Sequence, residues 1–120
     1  MSMKINEFVS SLFEIEVNTH IAHLQTRSYS QHKALNDLYE EIVDLRDRFI
    51  ESYQGKNPII TGYRISCSDG MDIINYIKDC ERNFCKFRET LSEGYQQQIC
   101  DDIIELLSST LYKLTKLTEA

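Results

Sequence analysis

The sequence predicts an all-α protein, one bundle of four amphipathic helices, and three observations carry that prediction. At 120 residues the chain suits a single domain, 1–120, large enough for a continuous core and too small for two. One proline and four glycines leave few interruptions, so long helices joined by short links are expected. Apolar residues recur in steps of three and four along most of the chain, the spacing that lines up side chains on one helical face.

The first helix is expected over about 4–25. Ile5, Phe8, Leu12 and Ile15 form one track, and Val9, Phe13, Val17, Ile21 and Leu24 form a neighbouring one. Two adjacent tracks describe a helix buried on much of its circumference. Residues 26–30 (TRSYS) supply hydroxyl caps, with Ser30 just before the next periodic run. A second helix over 31–54 carries Leu35, Leu38, Ile42, Leu45 and Phe49 as one continuous stripe, with Gly55 placed as a left-handed cap and Pro58 after it. A third helix is expected over 69–92, capped by Ser68 or Asp69 and built on Ile73, Ile77, Cys80, Phe84, Phe87 and Leu91. The fourth, over 95–117, has Ile99, Ile103 and Leu106 beside Cys100, Ile104, Leu107, Leu111 and Leu114.

Between the second and third helices lies the only long irregular stretch, 56–68 (KNPIITGYRISCS). Its two short extended runs are too brief for an independent sheet. Short outer links with a long central one describe a ferritin-like four-helix bundle, up-down-down-up, with a crossover between helices 2 and 3.

A formal net charge of −6 argues against a nucleic-acid backbone as the partner, because phosphate neutralisation needs clustered Lys and Arg. The opening MSMKINEF has no signal-peptide apolar run, and no stretch approaches the ~20 apolar residues that cross a bilayer. A cytoplasmic protein without a membrane role is expected. Cys67, Cys80, Cys85 and Cys100 form no CxxC pair and are read as buried free thiols.

All three histidines fall between His20 and Glu51. Glu16, His20 and His23 stand at i, i+4 and i+7, where they can face one point. On the second helix His32, Asn36, Glu40, Asp47 and Glu51 share a face beside a seam of Tyr39, Val43 and Ile50. Such a seam beside acids predicts contact with a second subunit, hence a homo-oligomer, dimer or larger. Neutral imidazole with carboxylate suits iron, manganese or zinc.

The spacing His20-x11-His32, followed by Asp47-x3-Glu51, resembles the ferroxidase-site pattern of the Dps family, the miniferritins of bacteria. In that family two histidines of one subunit and an Asp and a Glu of its two-fold neighbour hold iron. Carried over, the resemblance implies His20 and His32 as nitrogen ligands, with Asp47 and Glu51 as carboxylates reaching across the interface. His23, followed by Leu24, is the alternative first ligand. Asn36 stands where the family usually has an aspartate. The segment HLQTRSYSQHKALNDLYEEIVDLRDRFIESYQGK also resembles small ferritin-like proteins of tailed bacteriophages and other large DNA viruses, which implies a host-cell cytoplasmic location.

Two functions are therefore expected as alternatives. One is a Dps-like, ferritin-like subunit holding iron or another divalent metal between copies, with ferroxidase-like chemistry at most. The other is a viral accessory, counter-defence protein that sequesters a host nucleotide signal or a host protein without catalysis. For the latter, Tyr63 and Arg64 are the candidate contacts, able to stack on and neutralise a small anionic ligand.

Overall fold

A computed structural model describes residues 3–117. It is all-helical, with α1 Ile5–Gln25, α2 Tyr29–Gln54, α3 Ile73–Arg88 and α4 Gly94–Lys116, and no strand among the described residues. α1 packs against α2 and α3, and α4 packs against the same two helices, so α1 and α4 lie diagonally across the core. The end of α4 meets the start of α2 through Lys113 and Asp37, 3.8 Å apart. At the opposite end Lys56, just past α2, lies 3.9 Å from Glu93 at the start of α4.

The core is the expected set of apolar stripes brought together. Phe8 is its centre: its ring stacks on Phe87 at 4.1 Å and meets Phe49 and Phe84 edge-on at 4.9 and 5.0 Å. Leu12, Ile15, Leu35, Leu38, Ile42, Ile77, Ile103 and Leu107 are also fully buried. The second track of α1 departs from expectation, because Val9 is fully buried whereas Val17 is 41% and Leu24 70% exposed. The elements packed on α1 cover its first track and the start of the second, and leave Val17 and Leu24 facing outward.

Helix ends differ from the sequence reading for local reasons. α2 starts two residues early because Ser28, not Ser30, is its cap, its Oγ accepting the Gln31 N–H at 3.2 Å. Thr26 Oγ1 accepts the Ser28 N–H and donates to Gln31 Oε1, which ties the three-residue turn to the new helix. Gly55 is right-handed, φ −67°, so it is not the left-handed cap its type suggested. Instead the Tyr53 carbonyl accepts from the backbone N–H of both Lys56 and Asn57 and from the Asn57 side chain. α3 begins at Ile73 rather than 69, capped by Asp72, whose carboxylate accepts the Asn75 N–H. It ends at Arg88 rather than 92, where Thr90 donates its hydroxyl proton to the Phe87 carbonyl at 2.7 Å.

The connection between α2 and α3 is an extended strap laid along α1. Asn6 donates to the Gly62 carbonyl at 3.0 Å. The N–H groups of Arg64, Ser66 and Ser68 then donate to Ser10 Oγ, Glu14 Oε2 and Asn18 Oδ1 at 3.0, 2.8 and 3.2 Å. Gly70 closes the series on Gln25 at 3.4 Å. The match is geometric: two extended residues advance roughly 6.6 Å, and one i to i+4 step along a helix advances about 6 Å. A polar side chain every fourth residue on α1 thus meets an N–H every second residue on the strap. Gly62, at φ +82°, turns the chain onto this path, and a Cβ there would lie 3.3 Å from the Asn6 amide. The strap delivers the chain to the C-terminal end of α1, where α3 begins.

The thiols are not all buried as expected. Cys80 and Cys100 are buried, but Cys85, rotated roughly 140° from Cys80 around α3, is exposed, as is Cys67 on the strap. Desolvation pushes the Cys80 and Cys100 thiols up to about 12. An aromatic disulfide reagent is therefore expected to label Cys67 and Cys85 quickly, and Cys80 and Cys100 only after unfolding. The raised folded values also set a sign for pH dependence. Unfolded thiols lose their protons near 9 while the folded ones keep theirs, so stability is expected to fall as pH rises from 9 toward 12. Alkaline denaturant titrations of Cys80→Ala and Cys100→Ala, expected to flatten that slope, check it.

Candidate functional site

The tight turn between α1 and α2 brings all three histidines together. His23, in the last turns of α1, donates from Nδ1 to the His32 carbonyl at 2.7 Å. His32, near the start of α2, donates from Nδ1 to the His23 carbonyl at 2.8 Å. Carbonyls only accept, so both rings carry a proton on Nδ1, and in the neutral imidazole this leaves the lone pair on Nε2. The rings stack at 3.6 Å with 19° between their planes. His20 stacks on Tyr39 at 4.0 Å, and His23 meets Tyr39 edge-on at 5.2 Å. Tyr39 donates its hydroxyl proton to Asn36 Oδ1 at 2.6 Å, so Asn36 anchors the tyrosine. Across this cluster burial falls from His23, 7% exposed, through half-buried His32 to exposed His20.

The carboxylates lie elsewhere. Glu16 does not face His20 and His23; it pairs with Arg46 at 2.5 Å. The same guanidinium bonds Asp47 at 3.0 Å and lies 4.0 Å over the Phe13 ring. Asp47 and Glu51 are exposed. Asp47 follows His32 by fifteen residues on one helix, roughly 22 Å along its axis, so a single chain does not bring Asp47 or Glu51 to the histidines. Among the described residues no group of three or more His, Cys, Asp or Glu side chains is placed to hold a metal ion.

The seam expected on α2 is used within the chain. Val43 and Ile50 pack against the core, and Tyr39 is taken up by His20. Exposed aliphatic surface lies on α1 and the strap, at Val17, Leu24, Ile59 and Ile65, and at Leu117 after α4, while α2 and α4 expose the aromatic rings of Tyr29, Tyr95 and Tyr112. Tyr63 and Arg64 do not converge on one ligand, since successive extended residues point to opposite sides. Tyr63 meets Phe13 edge-on at 5.7 Å, while Arg64 lines a recess of about 280 Å³ that also contains Glu7 and Glu14.

Sequence reasoning missed Arg46, which is 7% exposed and joins α1 to α2. Its signal was legible: Arg46 falls next to Ile42 and Phe49 on the buried stripe, a position where a cation needs a partner. The ladder of Asn6, Ser10, Glu14 and Asn18 was legible too, as polar residues at exact four-residue spacing.

A family described as "Family of unknown function (DUF5856)" matches residues 23–114, which include His23, His32 and α2, α3 and most of α4. The chain is also similar to an "Uncharacterized 14.6 kDa protein in mobD-ri intergenic region" of Enterobacteria phage T4, 38% identical over 52 residues. That stretch covers 43% of this chain and 41% of the phage protein, so the chain matches well under half the length of that relative. No solved structure matches. No helix among the described residues is long and apolar enough to cross a membrane.

Proposed function

Because the chain belongs to DUF5856, a family of unknown function, its role has to come from its own geometry, and we propose that it is a metal-binding subunit of a homo-oligomer. In this reading the bundle is ferritin-like, up-down-down-up, and the strap is its crossover. The pairing of α1 and α4 each with α2 and α3 supports that arrangement.

The observation that carries the proposal is the reciprocal bonding of His23 and His32. Metal-ligating imidazoles are typically held by a carbonyl or carboxylate on the other ring nitrogen, which fixes the tautomer and raises ligand basicity. Here both Nδ1 atoms are held in that way. His20 stands beside them. The carboxylates would come from a second copy whose α2 runs antiparallel to the first. The point midway between His32 and the Asp47–Glu51 pair falls between Tyr39 and Ile42, so a dyad there sets His32 opposite both acids. Such a site takes a divalent ion, Fe(II), Mn(II) or Zn(II), through imidazole nitrogen and carboxylate oxygen.

Titration with each ion under anaerobic conditions, followed by thermal melting and solution mass, tests this. Saturable binding with a raised melting temperature is expected, and it should be lost in His32→Ala and weakened in Asp47→Asn. The absence of saturable binding, or equal binding by His32→Ala, would overturn the proposal.

A second reading, in which the chain acts as a phage accessory protein that sequesters a host component, takes its phage setting alone from the similarity to the uncharacterised T4 protein. Within it a protein partner fits better than a nucleotide, because Arg64 shares its recess with Glu7 and Glu14. Nucleotide-induced stabilisation of the metal-free protein would favour a nucleotide ligand instead.

A further inference from the structure

We propose that the outer edge of the strap, from Tyr63 to Cys67, is a self-pairing β-edge that joins two copies of this chain as an antiparallel two-stranded ribbon centred on Ile65.

The strap is extended backbone with one hydrogen-bonding edge used and the other free. The N–H groups of Arg64, Ser66 and Ser68 point at α1 and are taken by Ser10, Glu14 and Asn18. In extended chain the intervening N–H and C=O groups point the opposite way. Those of Tyr63, Ile65 and Cys67 therefore face away from α1, and every residue from Thr61 to Gly70 is exposed. Tyr63 and Ile65 are 39% and 50% exposed. An edge of this kind templates another strand, and proteins that keep one free usually blunt it with Lys, Pro or a bulge. Here Gly62 and Gly70, both with positive φ, bound the extended run without blunting its middle.

The occupant follows from the edge itself. With the two-fold on Ile65, Tyr63 lies opposite Cys67 of the second copy and Arg64 lies opposite its Ser66. Alternation then puts the apolar residues 63, 65 and 67 of both copies on one face and the polar residues 64, 66 and 68 on the other, so the edge is complementary to itself. Charge agrees with this register. Arg64 shares a recess with Glu7 and Glu14 of its own chain and lies opposite the uncharged Ser66 of the second copy, so the pairing sets no like charges against each other. Residues 63, 65 and 67 form the hydrogen-bonded pairs, each copy contributing three N–H donors. Two short strands alone are marginal, and the exposed side chains of Tyr63 and Ile65 supply apolar surface to the contact. This contact is separate from the histidine site and does not depend on metal.

Ile65→Pro tests it, because it deletes an outward N–H while leaving the inward donors at Arg64, Ser66 and Ser68. Ile65→Thr is the control that keeps the N–H. In sedimentation and amide exchange of the full chain without metal, the wild type and Ile65→Thr are expected to self-associate and to exchange slowly at Tyr63 and Cys67. Ile65→Pro is expected to lose both, with unchanged helical content and with Arg64 and Ser66 still protected. A synthetic peptide of residues 61–69 should compete with the association. Fast exchange at Tyr63 and Cys67 in the wild type, or assembly unaffected by Ile65→Pro, would overturn the proposal. Exchange rates read the strap even if that variant loosens it, so the wild-type measurement decides alone.

Discussion

Phe8→Ala is expected to destabilise the protein by about 3–5 kcal/mol. Phe8 is completely buried and is the one aromatic residue of α1 that touches rings from both α2 and α3. Its stacking on Phe87 and its edge contacts with Phe49 and Phe84 place three of the four helices around a single side chain. Truncation removes the transfer free energy of the ring, leaves a cavity, and deletes three aromatic pairs at once. Those neighbours sit on two other helices, Phe49 on α2 and Phe84 and Phe87 on α3, so closing the cavity would require moving whole helices rather than rotating one side chain. A domain of this size has only about 5–15 kcal/mol of stability in total, and denaturant unfolding should show a large fall in midpoint with little change in slope. Phe8→Leu, which refills most of the volume, should recover more than half of the loss.

Arg46→Ala is the second large effect, expected at about 2 kcal/mol and read by the same unfolding measurement. The guanidinium is buried, neutralises Glu16 and Asp47, and covers the Phe13 ring. Removing it exposes Phe13 and leaves Glu16 without its cation. The cost stays below that of breaking a fully buried pair because Glu16 keeps about a third of its side-chain surface in water, and Asp47 keeps half. The double variant Glu16→Gln, Arg46→Met should be close to wild type, since Glu16 no longer carries a charge, the half-exposed Asp47 keeps its hydration, and the methionine still covers Phe13. A double variant as unstable as Arg46→Ala would place the effect in packing rather than charge.

The legible and illegible parts of the molecule divide along range of interaction. Four helices with their core stripes were readable because apolar spacing reports burial directly, as Leu35, Leu38, Ile42 and Phe49 show. Helix ends were read less well. They depend on which of several hydroxyls wins a local competition, and Ser28 won over Ser30 because Thr26 could brace it. At the candidate site the meeting of His20, His23 and His32 was legible as a short turn between two helices. Their mutual hydrogen bonding was not, because it depends on how that turn bends. Nor could spacing alone reveal that Glu16 is drawn away by a cation thirty residues later.

By itself, then, the sequence determined the helical class, the four elements and most of the core, because periodic burial is a property of each helix taken alone. It also carried the four-residue ladder on α1, though without saying what the ladder would hold. Only the tertiary structure decided that the ladder takes a strap and leaves one strap edge free, that Arg46 draws Glu16 into an ion pair, and that Asp47 and Glu51 lie roughly 22 Å or more along α2 from His32. Each of those outcomes rests on distances between segments far apart in the chain, and side-chain spacing within one helix contains no information about them.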